Sequence, residues 1–270
     1  MLSPEIEGYY LRTRESARLA GVEGELERVR TQSILARHLP PAPAVLYDIG
    51  GAAGVYAFPL AELGYQVHLI DPVERHLEDA RAVEAESEVR LASIRGGDAR
   101  QLDIAGANAD AVLLLGPLYH LTDRSERMRA VREARRILKP GGILFAAAIS
   151  RFASLIDGVA TGAFSDPQFR DIVARDLETG EHRNPSDNPA YFTTAHFHRP
   201  EELSSEVGEI FQDVRLVAVE GPVWMAAHFR QIWEHADLRA KLLEHLEKVE
   251  AEPSILGTSA HILAIGKNLR

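Results

Sequence analysis

The residues best placed to do chemistry lie in a glycine-rich turn early in the chain. An apolar run over 45–49 contains Asp48 near its end. Three glycines follow it: Gly50, Gly51 and Gly54. A strand that ends in such a turn directs backbone amides, and the positive end of the next helix dipole, at a ligand. A dinucleotide fingerprint would need glycine at Ala52 and Val55, so the turn predicts a nucleotide-type site and disfavours a nicotinamide dehydrogenase.

Two more acids follow predicted strands. Residues 65–70 are predicted as the second strand and are followed by Asp71, about twenty residues after the first glycine, where a carboxylate can accept hydrogen bonds from both ribose hydroxyls. Residues 89–93 are predicted as the third strand, and Asp98 comes shortly after it. Since parallel strands present their carboxyl ends at one edge of a sheet, these acids are expected near the glycine turn.

This series resembles the class I S-adenosylmethionine-dependent methyltransferases. Asp48 and the glycines are similar to the family's motif I, and Asp71 matches its ribose-binding acid. Asp98 and Ala99 match the pair that lies beside adenine. The resemblance implies S-adenosyl-L-methionine (SAM) as cofactor and S-adenosyl-L-homocysteine as product. It implies cofactor contacts at Asp48, Gly50, Gly51, Gly54, Asp71, Pro72, Asp98, Ala99, Leu115, Gly116, Tyr10 and Arg30.

Helix and strand patterns alternate along the chain, which predicts an α/β protein. The expected architecture is a doubly wound, seven-stranded, mostly parallel sheet with helices on both faces and inserted lid segments. The resemblance implies that the last strand is antiparallel beside strand five. The predicted regions are an N-terminal helical cover over 1–43, a SAM-binding Rossmann-like core over 44–150, an inserted lid over 151–199, and the rest of the core over 200–270 with a helical insertion over 222–257.

Proton chemistry is expected in the loop after the fourth strand. Transfer of a methyl group from a sulfonium needs alignment, exclusion of water and, for some acceptors, removal of a proton. His120 can accept a proton near neutral pH, so it is a general base, a contact to substrate or cofactor, or a structural loop residue. Tyr119 is better suited to a wall or a hydrogen-bond donor, because a phenol titrates near 10. His196, where the lid returns to the core, is the next catalytic candidate.

The same loop narrows the substrate class. Enzymes that methylate exocyclic base nitrogens have Asn or Asp, Pro, Pro and an aromatic residue there, and Gly116 and Leu118 break that pattern. The run over 116–121 is similar to a bacterial branch of small-molecule methyltransferases. The loop has no acid, which disfavours aminopropyl transfer and metal-dependent catechol methylation. We therefore expect in-line methyl transfer to an oxygen or nitrogen of a small molecule.

The N-terminal segment is a second source of contacts. Related enzymes cover the methionine carboxylate with an N-terminal helix that carries an aromatic residue or an arginine. In this segment the residues to watch are Tyr9, Tyr10, Glu27 and Arg30. For Glu27 and Arg30 the alternative is a solvated helix face. His196 and His198 form a His-x-His pair, but no Asp or Glu ligands accompany it, so no metal is expected.

Composition limits the remaining choices. The chain has 270 residues, 46% of them hydrophobic, and no cysteine, which excludes disulfides and thiolate metal sites. Its start lacks a signal-peptide pattern and no apolar run reaches the roughly 18 residues of a membrane span, so a cytoplasmic protein is expected. The net charge of −10 disfavours nucleic-acid partners.

A monomer or homodimer is expected. The alternatives are a non-catalytic SAM-binding sensor or scaffold, and a methyltransferase acting on protein or RNA.

Overall fold

A computed structural model of the protein describes residues 4–12, 21–186 and 188–269. The described α-helices, numbered in chain order, are α1 Pro4–Arg12, α2 Val22–His38, α3 Ala57–Glu62, α4 Glu74–Glu86, α5 Pro117–His120, α6 Arg124–Ile137, α7 Ala153–Thr161, α8 Pro167–Thr179, α9 Pro200–Gly208, α10 Phe229–Glu234, α11 Ala236–Val249 and α12 Pro253–Leu256. The strands are β1 Val45–Ile49, β2 Gln66–Asp71, β3 Ser93–Gly96, β4 Ala109–Leu114, β5 Leu138–Ser150, β6 Glu181–His182, β7 Ala195–His198, β8 Gln212–Ala218 and β9 His261–Lys267. Among these residues, no helix has the length and apolar character needed to cross a bilayer.

The strands form a sheet with a parallel centre. Strands β3, β2, β1, β4 and β5 lie side by side in that order and run parallel. Strand β9 lies between β5 and β8 and is antiparallel to both. The predicted mostly parallel sheet with an antiparallel last strand is confirmed. The sequence did not predict the hairpin of β6 and β7, which adds two strands at the end of β5.

Helices cover both faces of the sheet, as predicted. On one face, α2, α3 and α4 pack through side chains such as Ile34, Leu60 and Leu77. On the other face, α6 and α9 pack through Val131 and Leu203. With both faces buried, the carboxyl-end edge of the parallel strands is where the fold can form a ligand crevice.

The third strand begins later than predicted. It covers Ser93–Gly96 and not 89–93, because the residues before it form a turn from α4. The backbone amide of Leu91 donates to the Glu84 carboxylate at 2.8 Å, which bends the chain before it enters the sheet. Asp98 still follows the strand, so its position at the carboxyl edge is the predicted one.

The segment 151–199 is an ordered addition to the sheet. Helices α7 and α8 precede the β6–β7 hairpin, and β7 pairs in parallel with Ile149 and Ser150 of β5. Strand β9 occupies one edge of β5 as far as Ile149, while pairing with β4 on the other edge stops at Ala146. Strand β7 therefore extends the sheet beyond the end of β4 and forms a wall beside the crevice.

The segment 222–257, predicted as a helical insertion, contains three α-helices, and none of its residues lines the crevice. Its helices pack on the outer side of α2, where Phe229 and Trp233 surround Leu26. The indole Nε1 of Trp233 donates to Glu25 at 2.9 Å, which fixes this contact. The apolar residues of this segment thus bury an extra helical layer, and they hold α2 against the sheet.

Candidate functional site

A cavity of about 440 Å³ lies at the carboxyl ends of the parallel strands. Helix α1 lies across it through Ile6 and Tyr10, and the β6–β7 region contributes Arg183 and Thr194. One part of the lining, which we call the β2 side, comprises Asp48, Gly50, Gly51, Ala52, Asp71, Pro72, Asp98, Ala99 and Arg100. A second part, the β9 side, comprises Glu27, Thr31, Ala147, Val219, His261 and Leu263. Because β4 lies between β1 and β5, its loop with Leu115, Gly116, Tyr119 and His120 separates the two sides.

The glycine turn is packed so closely at Gly50 and Gly51 that neither position has room for a side chain. Gly50 has a φ of +74°, and a Cβ there would lie 2.8 Å from the ring of Pro117. A Cβ at Gly51 would lie 2.6 Å from Oδ2 of Asp48. The backbone of the turn is thereby exposed to the cavity, and its approach to a ligand is unobstructed.

Asp48 is a buried acid that faces this turn. Its side chain is 1% exposed, and neither carboxylate oxygen has a hydrogen-bond partner among the described residues. Burial, with a smaller effect from the charge of Asp71, raises the pKa of Asp48 to about 7. A positively charged or N–H-bearing ligand group in the cavity would satisfy these oxygens.

Asp71 holds the glycine turn and the start of α4 together. Its Oδ2 accepts the backbone amide of Ala52 at 3.0 Å. Its Oδ1 accepts the amide of Val73 at 2.8 Å and faces Nδ1 of His76 at 3.0 Å. This carboxylate is consequently fixed at the cavity wall, where the sequence predicted a contact to ribose hydroxyls.

Asp98 lies in the cavity wall as part of an ion-pair group. The guanidinium of Arg100 donates to both of its oxygens and also pairs with Glu126. The hydrogen bonds from Arg100, which outweigh the effect of burial, hold the pKa of Asp98 well below its usual range. The carboxylate is therefore charged and oriented, with Ala99 beside it on the wall where an adenine contact was predicted.

His120 lies in the cavity wall, but it is paired with the cover helix. Its Nε2 lies 2.6 Å from the hydroxyl of Tyr10, and its Nδ1 lies 3.5 Å from the carbonyl oxygen of Thr194. If Nδ1 carries the proton, Nε2 accepts the Tyr10 hydroxyl and is occupied. Tyr119 and Phe192 pack against the imidazole ring, so this cluster connects α1, the loop after β4 and the hairpin region.

The β9 side contains an acid–histidine pair that the sequence did not predict as a site. Nδ1 of His261 lies 2.6 Å from Oε1 of Glu220, and Glu27 approaches the same nitrogen at 3.8 Å. Glu220 lies between β8 and α10, and His261 begins β9. No spacing rule connects residues on three separate elements, so the packing of α2 and the pairing of β8 with β9 are both needed to bring them together.

Three predicted site residues, Arg30, His196 and Gly54, are not among the residues that line the cavity. Arg30 is buried in a salt bridge with Glu250 at 2.6 Å and donates through Nε to the carbonyl oxygen of Val219 at 3.0 Å. His196 packs edge-on against His198, and burial, with the charge of His198, lowers its pKa to about 3. Gly54 supports the turn from behind, where a Cβ would lie 2.7 Å from the Phe58 ring.

Comparisons with known proteins match the part of the chain that contains the β2 side of the cavity. Residues 47–146 match the family described as "Methyltransferase domain". The ubiquinone biosynthesis O-methyltransferase of Caulobacter vibrioides is 30% identical over 182 residues, which cover 67% of this chain and 62% of that protein. The matched regions span between 40% and 62% of the length of three such relatives.

Solved structures share the fold at low sequence identity. A possible histamine N-methyltransferase of Thermotoga maritima has a TM-score of 0.59 and 18% identity, over 97% of this chain and 99% of that one. A phosphoethanolamine-type N-methyltransferase of Haemonchus contortus, solved with S-adenosylhomocysteine, has a TM-score of 0.55 and 14% identity, over 90% of this chain and 52% of that one. The chain thus shares its fold with solved methyltransferase structures.

Proposed function

We propose, on the premise that the chain contains a class I SAM-dependent methyltransferase domain, that it transfers a methyl group from SAM to an oxygen or nitrogen atom of a small molecule. The observation that carries this proposal is the β2 side of the cavity. There, a turn in which Gly50 and Gly51 leave no room for a Cβ faces Asp48, a buried carboxyl with no partner among the described residues, and is fixed by Asp71. The match of residues 47–146 to a methyltransferase domain supports it.

The residues of the β2 side fit SAM. Asp48 and the turn would hold the methionine end, Asp71 would accept the ribose hydroxyls, and Asp98 with Ala99 would border the adenine ring. When bound, SAM supplies a methyl group that is already activated as a sulfonium. The protein then has to align the acceptor and exclude water.

The cover over the cavity supports exclusion of water. Ile6 and Tyr10 of α1 close the cavity from one direction, and Arg183 and Thr194 close it from another. The Thr193 hydroxyl donates to the carbonyl of Glu5 at 3.4 Å, and Arg183 pairs with the Glu5 side chain at 3.5 Å, so the two covers contact each other. A cavity of about 440 Å³ with covers on two sides suits a small-molecule acceptor.

Isothermal titration calorimetry with SAM, S-adenosylhomocysteine and NAD tests the cofactor assignment. We expect heat from the first two and none from NAD. Heat from NAD alone would overturn the proposal. Incubation with methyl-labelled SAM and a fractionated cell extract then tests the reaction: label in a small molecule supports the proposal, whereas label only in protein or RNA contradicts the substrate class. Binding without any transfer of label would indicate a sensor or scaffold.

A further inference from the structure

The Glu220–His261 pair has the geometry of a base held by a carboxylate. Glu220 is 3% exposed, and its Oε2 accepts the Ser259 hydroxyl at 2.8 Å and the backbone amide of His261 at 2.9 Å. Its Oε1 lies 2.6 Å from Nδ1 of His261. A carboxylate fixed by these contacts orients the imidazole and selects the tautomer with the proton on Nδ1.

The pair is located where an acceptor would be bound. The β2 side is taken up by the predicted SAM contacts, and the cavity continues across β4 to Ala147, Val219 and Leu263, which form an apolar floor. His261 borders this floor, and Glu27 and Thr31 of α2 lie along it. The β9 side therefore offers an apolar floor bordered by His261, Glu27 and Thr31, which suits a ring that carries a polar group.

We propose that His261, positioned by Glu220, accepts the proton of a phenolic hydroxyl during methyl transfer. This inference rests on the proposed function. In the step, the O–H bond of the acceptor breaks and its proton moves to Nε2 of His261. The oxygen electron pair forms a bond to the methyl carbon, and the carbon–sulfur bond electrons remain on sulfur. The products are an aryl methyl ether, the neutral thioether and an imidazolium.

Charge balance favours this assignment. The positive charge leaves the sulfonium and appears on His261, where Glu220 at 2.6 Å and Glu27 at 3.8 Å stabilise it. Burial would raise the pKa of Glu220, but the charge and hydrogen bonds of His261 outweigh it and lower that pKa, so the carboxylate is ionised at neutral pH. The net charge of the closed cavity is unchanged by the reaction, which avoids creating an unpaired buried charge.

The same charges discriminate against an amine acceptor. Two carboxylates would bind an amine as its ammonium ion, which has no lone pair to receive a methyl group. A neutral amine needs no base before attack, whereas a phenol, with a pKa near 10, is a weak nucleophile at neutral pH until its proton is removed. A histidine at the acceptor site is useful for the phenol and not for the amine.

The test uses the full chain and four probes: catechol and 4-nitrocatechol as hydroxyl acceptors, and phenethylamine and histamine as amine acceptors. With labelled SAM, we expect transfer to at least one phenol. His261→Gln should lower kcat by about 10²–10⁴-fold and remove the rise of kcat with pH, while SAM affinity stays within about twofold. Glu220→Gln should lower kcat by on the order of tenfold or more, whereas Glu220→Asp should recover part of it.

A readout without turnover uses 4-nitrocatechol, whose colour reports ionisation. In the complex with S-adenosylhomocysteine, the bound phenol should ionise at lower pH than it does in solution, and His261→Gln should remove that shift. His245→Gln is the matched control, because His245 is an exposed histidine on α11 bonded to the carbonyl of Lys241. It should leave kcat and the spectrum unchanged. Thermal unfolding with and without SAM separates a folding defect from loss of the base.

Several outcomes would overturn the proposal while leaving SAM binding intact. These are full turnover in His261→Gln, methylation of the amines but of neither phenol, and no transfer to any probe. Glu27, Glu220 and His261 place possible metal-ligand atoms within 4.8 Å of one another. The activity is therefore also measured after treatment with EDTA. Loss of activity with EDTA and recovery with Mg²⁺ would show that a metal ion, and not His261 acting as a base, activates the acceptor. Absence of SAM binding would instead contradict the proposed function.

Discussion

The two sides of the cavity are built in different ways. Every residue of the β2 side lies between 48 and 100, on three successive strand–loop units, whereas the β9 side needs α2, β5, β8 and β9 together. The first is a local design in which each acid follows its strand. The second exists only when distant parts of the chain pack. Local spacing therefore determines the β2 side of the cavity, and long-range packing determines the β9 side.

The largest expected effect on the β2 side comes from Asp71→Ala. It removes the acceptor for the amides of Ala52 and Val73 and the predicted ribose contact, so the turn loses its support. A charge-assisted hydrogen bond is worth about 1.5–3 kcal/mol, so SAM affinity should fall by about tenfold to a hundredfold. Isothermal titration calorimetry measures this change in SAM affinity.

Asp110→Ala is the control for that experiment, because Asp110 also accepts a backbone amide, that of Val45, and pairs with Lys139 at 2.8 Å away from the cavity. It should leave SAM affinity unchanged. Equal loss of affinity in both variants would mean that Asp71 acts only through stability, and the two sides of the cavity would not be separable.

A smaller effect is expected from pH, through Asp48. Its ordinary pKa of 3.8 is raised to about 7, so the carboxyl is neutral below that pH and an anion above it. A cationic ligand favours the anion, so binding of SAM should release a proton, and its affinity should fall by up to about tenfold for each pH unit below 7. Calorimetry in buffers of different ionisation heat checks the release.

Asp48→Asn should abolish this pH dependence. The stability of the ligand-free protein should depend on pH in the opposite direction. The folded state binds the proton of Asp48 more tightly than the unfolded state does, so the free energy of unfolding should fall as pH rises from about 4 to 7. A SAM affinity that is flat from pH 5.5 to 8 in the native sequence would show that Asp48 does not face the ligand.

The smallest expected change in turnover comes from variants that test whether His120 or His261 accepts the proton. The sequence left His120 as a general base, a contact to substrate or cofactor, or a structural loop residue, and the structure pairs its Nε2 with Tyr10 at 2.6 Å. If this pair holds α1 over the cavity, Tyr10→Phe and His120→Gln should each lower turnover only a fewfold and by similar amounts, and both should speed hydrogen exchange in α1.

A base role for His120 gives a different pattern. Tyr10→Phe would then free the imidazole and retain turnover, while His120→Gln would lose about 10²–10⁴-fold. That result, together with an active His261→Gln, would move the proton acceptor from the β9 side to the loop after β4. The comparison of the two variants therefore decides which residue accepts the proton.

The sequence predicted the sheet and the β2 side because both depend on local order. Asp71 and Asp98 are recognisable one strand at a time, and a strand boundary wrong by several residues, as in β3, does not move the acid that follows it. Arg30 was assigned to the cavity from its residue type, but its partner Glu250 is 220 residues away in the chain. Glu220 and His261 carried no local signal for the same reason. Side-chain direction on a helix or at a strand end is set by packing, which spacing does not encode.

The wide separation of the β9 residues affects how the protein is made. A nascent chain that has emerged through β5 already contains every residue of the β2 side, but it lacks Glu220 and His261. Domains generally fold as units, and β9 lies between β5 and β8 in the sheet. The sheet can therefore close only after β9 has been synthesised. The Glu220–His261 pair is thus among the last parts of the cavity to form.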